Sequence, residues 1–343
     1  MKKHGNTLYV TTQGAYLSRE GTTVHVRIEK ETKLRLPIHT ISGIVCFGNV
    51  SCSPFLLGLC GSEGVGVSLL TTNGRFLARV EGPRSGNVLL RRAQHRATAD
   101  ETLSARPAAV FVTAKIANAR NNLQRVLRDH EDKIDAIRVE VASRRLAFIL
   151  RQLAGKLPLE QVRGLEGDAA KTYFDVFDQL ILAQKDAFVF KGRSKRPPRD
   201  PVNALLSFLY TLLAHDVASA CESTGLDPQM GFLHRDRPGR PSLALDLMEE
   251  LRPQFADRLA LSLINRRQVS AKGFSVQESG AVQMDDATRK AVLNAYQNRK
   301  SETIEHPFLG EKVTLGLLPF VQARLLARWL RTDLDDYPAF FWK

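Results

Sequence analysis

Gly82-Pro83-Arg84-Ser85-Gly86 separates two hydrophobic periods, and the fold follows from what lies on either side of it. Upstream, Val24, Val26 and Ile28 alternate with His25 and Arg27, and Leu34 and Leu36 continue in phase after Gly21 has supplied a turn. A period of two sends successive side chains to opposite faces of a strand, so residues 1–85 read as an antiparallel β domain. Val65 to Thr71 and Phe76 to Glu81 flank Asn73-Gly74, the dipeptide best suited to a two-residue hairpin turn. One helix interrupts the strands: Ser53 is an N-cap, Pro54 takes the first helical position, and Gly61 and Gly64 end it. It is expected to cover a sheet edge or opening. Downstream, Val110, Ile116, Ala117, Leu123 and Leu127 recur with helical spacing, and further helices read over residues 134–155, 159–183, 202–222, 243–268 and 317–331. A short hairpin is expected around Ser279-Gly280 and a polar stretch from Asn298 to Glu311. The fold class is therefore α+β, with residues 86–343 forming a larger, nearly all-helical domain and residues 82–86 a hinge.

The composition excludes wholesale disorder, since 43% of the 343 residues are hydrophobic and 25% charged. The net charge of +13 favours polyanionic partners, nucleic acid first and acidic membrane surface second. The most apolar run, Val202 to Ala220, is broken by Asn203, His215 and Asp216 and predicts no membrane span. Met1-Lys2-Lys3-His4-Gly5-Asn6 leads into an alternating rather than a long apolar segment, unlike a secretory signal, so a cytoplasmic protein is expected. Cys46, Cys52, Cys60 and Cys221 lack the Cys-x-x-Cys spacing of zinc sites and read as buried thiols. Lys191-Gly192-Arg193-Ser194-Lys195-Arg196-Pro197-Pro198-Arg199-Asp200 carries five cations and two prolines and is expected to be an exposed loop touching DNA phosphates.

No Walker loop, strand-to-helix Gly-x-Gly-x-x-Gly or Gly-x-Ser-x-Gly elbow is present. The acidic residues carry more. Asp246 and Glu249 lie three apart on a helix starting at Ser242, an arrangement that costs about 0.2 to 0.5 kcal/mol unless a cation stands by. His234 precedes them in Gly231-Phe232-Leu233-His234-Arg235-Asp236-Arg237, and two carboxylates with one imidazole suit Mg2+ or Mn2+. The same residues also fit a solvated acidic helix face beside a hydrogen-bonded histidine. Glu166, followed by Ala169, Ala170 and Tyr173, reads either as a further metal ligand in a niche that admits close approach or as a glutamate favoured by the helix dipole.

Three blocks, Arg163-Gly164-Leu165-Glu166-Gly167 with Ala169-Ala170 and Tyr173-Phe174, Asp200-Pro201-Val202-Asn203-Ala204-Leu205-Leu206-Ser207, and Gly231-Phe232-Leu233-His234 with Ser242 to Pro253, resemble in order and spacing the CRISPR-associated integrase family called Cas-one. The resemblance covers essentially the whole chain, and the wording from Asp246 to Pro253 is similar to the subtype I-C branch. It implies a homodimer formed through the β domain and one divalent metal, Mg2+ or Mn2+, held by Glu166, His234 and the acidic helix. Glu249 takes the family's first ligand position on that helix, usually an aspartate, and Asp246 the position three residues earlier, so Glu249, Asp246 or both remain candidate ligands. It further implies that Asn203 lies beside the site and Tyr210 near the reacting phosphate, and that a small companion, Cas-two, is a partner. Arg235, Arg237 and Arg240 flank His234 and read either as cations that grip neighbouring phosphates or as a balance to nearby acids. The implied reaction is attack by the 3′-hydroxyl of a captured DNA fragment on a repeat junction in double-stranded DNA, together with related cleavage. A non-catalytic basic helical DNA-binding scaffold is the competing reading.

Overall fold

The alternating segments upstream of Gly82 pair into two four-stranded sheets in a computed structural model that describes residues 6–72, 74, 76–80, 82, 88–194 and 197–342. The elements are β1 (Thr7–Val10), β2 (Tyr16–Glu20), β3 (Thr23–Ile28), β4 (Glu31–Pro37), β5 (Gly43–Phe47), β6 (Ser51–Cys52), α1 (Pro54–Glu63), β7 (Gly66–Leu70) and β8 (Phe76–Val80). One sheet has the order β1-β5-β7-β8 and the other β4-β3-β2-β6. β2-β3-β4 and β7-β8 pair antiparallel, as alternation around local turns dictates. β1, β5 and β7 are parallel to one another, and β6 is parallel to β2, so the β region is mixed and not wholly antiparallel. Period-two alternation is blind to this difference, because parallel pairing is set by crossovers and not by the strands' own side chains.

α1 forms as its caps require. Ser53 Oγ accepts from Leu56 N at 3.2 Å, and Gly64 closes the helix in the left-handed region at φ 64°. Its Leu56, Leu59 and Cys60 share one core with Leu17 and Val24 of the second sheet and Ile44, Cys46 and Val67 of the first. The helix therefore seals the interior of this region. All four cysteines are free thiols, three buried and Cys52 half-buried. Asn73 of the expected turn and residues 83–86 of the expected hinge lie outside the described residues.

The helices that follow are α2 (Val88–Ala99), α3 (Glu101–His130), α4 (Ala136–Leu153), α5 (Leu159–Asp175), α6 (Pro201–Ser223), α7 (Ser242–Glu249), α8 (Arg258–Asn265), α9 (Asp286–Ser301) and α10 (Leu318–Leu330). β9 (Phe274–Val276) and β10 (Val282–Met284) form the antiparallel hairpin around Ser279-Gly280, and β11 (Thr303–Glu305) pairs with β12 (Lys312–Thr314) within the polar stretch. The helix expected over 243–268 is broken. α7 ends at Glu249, and a wide π turn spans Pro253–Asp257 before α8, where Pro253 has no N–H to continue the ladder. By length and composition α6 could cross a bilayer, yet its apolar side chains from Val202 to Cys221 are mostly buried in the protein.

The chain divides into two compact units, and the division is not a single cut. The first holds residues 1–86 together with Leu293–Ile304 and Val313–Leu318; the second holds Asn87–Val292, Glu305–Lys312 and Pro319–Lys343. The returning segments are short, and nothing in their local period assigns them to the β region.

Candidate active site

The site is assembled within the second unit from three helices and one loop. Asp100 caps α3, accepting from Thr102 N at 2.8 Å and Leu103 N at 3.0 Å, and the long helix that follows carries Lys115 near its middle. α5 presents Glu166, and α7 presents Asp246 and Glu249. The loop from Gly231 to His234 wraps the Asp246 carboxylate: Oδ2 accepts from Phe232 N at 2.6 Å and Leu233 N at 3.0 Å, while Oδ1 accepts from His234 N at 3.0 Å and meets His234 Nδ1 at 2.6 Å. Gly231 permits this closeness, since a Cβ there would stand 2.7 Å from Ser242 Cβ and 2.9 Å from Asp246 Oδ2.

These contacts settle how the acidic pair is divided. Asp246 is fully buried and its two oxygens answer four donors, so it orients the histidine. With Nδ1 against Asp246, the Nε2 of His234 is turned towards Glu249, whose Oε1 is 3.9 Å away. Glu249 is 2% exposed, with Arg252 Nη1 at 2.5 Å and Lys115 Nζ at 2.7 Å. Burial alone would raise its carboxyl, but Arg252, Lys115 and His234 together hold it well below the usual carboxylate range. Lys115 also donates to Glu166 Oε1, so one ammonium bridges the two carboxylates.

A second layer supports Arg252. Its guanidinium lies 4.3 Å over the Tyr210 ring, and Tyr210 Oη donates to Asp257 Oδ1 at 2.5 Å from the π turn. Burial, and then the Asp257 charge, push the Tyr210 hydroxyl up. Beside these groups a shallow, mainly apolar cleft is lined by Lys115, Ala169, Ala170, Tyr173, Tyr210 and Arg252 among others.

Among the described residues no three His, Cys, Asp or Glu side chains stand close enough to hold a metal ion as placed. The donor chemistry nevertheless fits a hard divalent ion: two carboxylates and an imidazole whose Nε2 faces one of them. Lys115 fills the cation's electrostatic role between Glu166 and Glu249.

The remaining expected residues scatter. Asn203 is fully buried and its amide is used up: Oδ1 accepts from Arg193 Nη1 at 2.5 Å and Ser194 N at 3.0 Å, and Nδ2 donates to Gly192 O at 2.8 Å and Asp200 Oδ2 at 2.6 Å. It pins the basic loop to the start of α6. Arg193, expected on phosphate, is instead drawn inward, also meeting Ser207 Oγ at 3.2 Å and lying 5.1 Å over the Tyr210 ring. Lys191 and Arg199 are exposed, and Lys195 and Arg196 lie outside the described residues. Arg235 is exposed and pairs with Glu160 Oε2 at 2.8 Å; Arg237 is exposed, and Arg240 is half-buried in the turn that Arg237 opens. Sequence reasoning missed Lys115, Arg252 and Asp257. Lys115 had a signal, a single charge inside Phe111-Val112-Thr113-Ala114-Lys115-Ile116, and Arg252 stands one helical turn after Glu249.

A family model described as CRISPR associated protein Cas1 matches residues 8–298. The chain belongs to the Cas1 family. The CRISPR-associated endonuclease Cas1 1 of Chlorobaculum tepidum is 57% identical over 343 residues, covering 100% of both chains. A casposase bound to its integration product shares the Cas1 fold with a TM-score of 0.83 at 23% identity, over 98% of this chain and 94% of the other. The Cas1 fold also recurs in a Cas6-RT-Cas1–Cas2 complex, with a TM-score of 0.80 at 20% identity, over 99% of this chain and 36% of that longer one.

Proposed function

We propose that the chain is a divalent-metal-dependent DNA endonuclease and integrase of CRISPR adaptation, joining 3′-hydroxyl ends of captured DNA to the repeat by phosphodiester transfer. The observation that carries this reading is one ammonium, that of Lys115, shared by Glu166 and Glu249, with His234 Nε2 turned to Glu249 at 3.9 Å. Cas1 membership, with a full-length relative named an endonuclease, supports it.

Glu166, His234 and Glu249 would hold Mg2+ or Mn2+. Such an ion, when bound, lowers the pKa of the attacking hydroxyl and stabilises charge on the phosphate oxygens. The chain's own residues do the rest. Asp246 holds the imidazole in place, and Arg252 keeps Glu249 ionised. Arg235 and Arg237, exposed next to His234, are offered to flanking phosphates. The partners in this reading are double-stranded DNA, a second copy of the chain met through residues 1–85, and Cas2, in the cytoplasm.

Glu166→Ala and His234→Ala are each expected to abolish strand transfer on branched or repeat DNA while DNA affinity is kept, and Mn2+-soaked crystals should show an anomalous peak between Glu166, His234 and Glu249. Full activity of His234→Ala with Mg2+ overturns the reading. A non-catalytic DNA-binding scaffold is favoured by one observation, the Lys115 bridge, which gives both carboxylates a structural partner; it requires that the anomalous peak be missing.

A further inference from the structure

Lys115 is the one participant in the site that brings positive charge of its own to both Glu166 and Glu249. Its side chain is 13% exposed, so its ammonium is largely withdrawn from water, and it stays there because two carboxylates replace the lost hydration. A divalent ion held by the same two carboxylates would place at least two positive charges within a few ångströms of that ammonium, in surroundings that screen poorly. Both cannot keep the same partners. Lys115 can move because its four-carbon stem is flexible and its side chain lines the mouth of the shallow cleft with Tyr210 and Arg252. Arg252, by contrast, is held over the Tyr210 ring and bonded to Glu249 from the far side, so it is placed to remain.

We propose that Lys115 is an internal counter-ion that competes with the divalent metal for Glu166 and Glu249, setting the metal affinity of the site and keeping it folded when no metal is bound. This rests on the metal-site reading above and adds its regulation. The exchange is one of charge alone: no bond is made or broken beyond hydrogen bonds and coordination, and no proton need be lost. The ammonium that leaves would face the cleft, where a phosphate oxygen of bound DNA is a suitable new partner.

The test is Mn2+ binding followed by electron paramagnetic resonance, without DNA, on the full chain. Lys115→Gln keeps a polar group of similar reach but removes the competing charge, and is expected to bind Mn2+ at least tenfold more tightly than the wild type. Without metal, the same variant should unfold at a lower temperature, because Glu166 and Glu249 then repel, and saturating Mn2+ should erase the deficit. Lys115→Arg, which keeps the charge, should bind Mn2+ no more tightly than wild type. Unchanged or weaker binding in Lys115→Gln, where wild-type binding is present and lost in His234→Ala, overturns the counter-ion and leaves the metal site standing. Tighter binding in Lys115→Arg overturns it as well. A wild type that binds no Mn2+ overturns both.

Discussion

Glu249 and Glu250 are consecutive, almost wholly buried, and face two different regions, and their fates diverge. Glu249 turns to the site, where Arg252, Lys115 and His234 hold it ionised against the pull of burial. Glu250 turns to the C-terminal segment, where its partners are neutral: Tyr337 Oη donates to Oε1 at 2.5 Å, and Gln322 Nε2 at 3.0 Å and Phe340 N at 2.6 Å donate to Oε2. Burial pushes its carboxyl up to about 7, only partly opposed by these three bonds. The backbone around it is fastened as well, since Asn118 Nδ2 donates to Glu250 O at 2.8 Å and to Phe340 O at 2.9 Å, and Trp342 N donates to Asn118 Oδ1 at 2.7 Å. Residue type therefore decides little here. Cations hold one glutamate ionised, and neutral donors make the next a fastener that ties the end of α7 and the C-terminal segment to α3.

The largest effect should come from emptying the charged side of this pair. Glu249→Ala leaves Arg252 and Lys115 buried beside a lost partner, a change that costs about 3–5 kcal/mol in comparable sites. Chemical denaturation should show that loss, and strand transfer should vanish. Glu249→Gln, which retains the shape, should be equally inactive and lose less stability. Activity surviving in either would break the division of labour between the two glutamates.

The neutral side predicts a pH dependence instead. Glu250 is raised from 4.5 to about 7, so the folded state prefers the proton that the unfolded chain has already released. Its contribution is full below the unfolded value and is lost as pH climbs through about 7, a span worth about 3 kcal/mol at 1.36 kcal/mol per unit. Denaturation of the wild type and Glu250→Gln at pH 5 and pH 8 should therefore show wild-type stability falling relative to the variant at the higher pH. The opposite slope would mean that Glu250 is held charged, like its neighbour.

Asp246 sharpens the same comparison from behind the site. Because it touches the imidazole and not the cation position, Asp246→Asn should lower strand transfer by roughly 10- to 100-fold without abolishing it. Complete loss, with Glu249→Gln active, would exchange the roles of the two residues.

Most helices, and the approach of His234 to Asp246 and Glu249, were legible because caps, period and motif spacing are local. Ser53 and Gly64 bound α1 as written, and the change of period after Gly86 marks where helices begin. What escaped was set at a distance. Lys115 lies 51 positions before Glu166, and its pairing depends on how α3 packs on α5, which no local period encodes. The parallel register of β1, β5 and β7 escaped for the same reason. The break at Pro253 was visible as a proline, but the widened turn that brings Asp257 to Tyr210 was not.

The basic loop gives the smallest effect and shows how burial revises a count of charges. Five cations between Lys191 and Arg199 would, if all contacted phosphate, steepen the salt dependence of DNA binding by about 0.9 per contact. Arg193 is excluded from that tally, because its guanidinium is committed to Asn203, Ser207 and the Tyr210 ring, and burial already lowers its pKa. Lys191 and Arg199 are exposed, so replacing both with alanine should flatten the slope of log affinity against log salt by no more than about two, with sequence preference unchanged. Arg193→Ala should leave the slope alone and instead lower thermal stability, since Asn203 and the Tyr210 ring lose a buried partner. A slope that falls with Arg193→Ala but not with the exposed pair would mean that the loop opens on DNA and that Asn203 releases it.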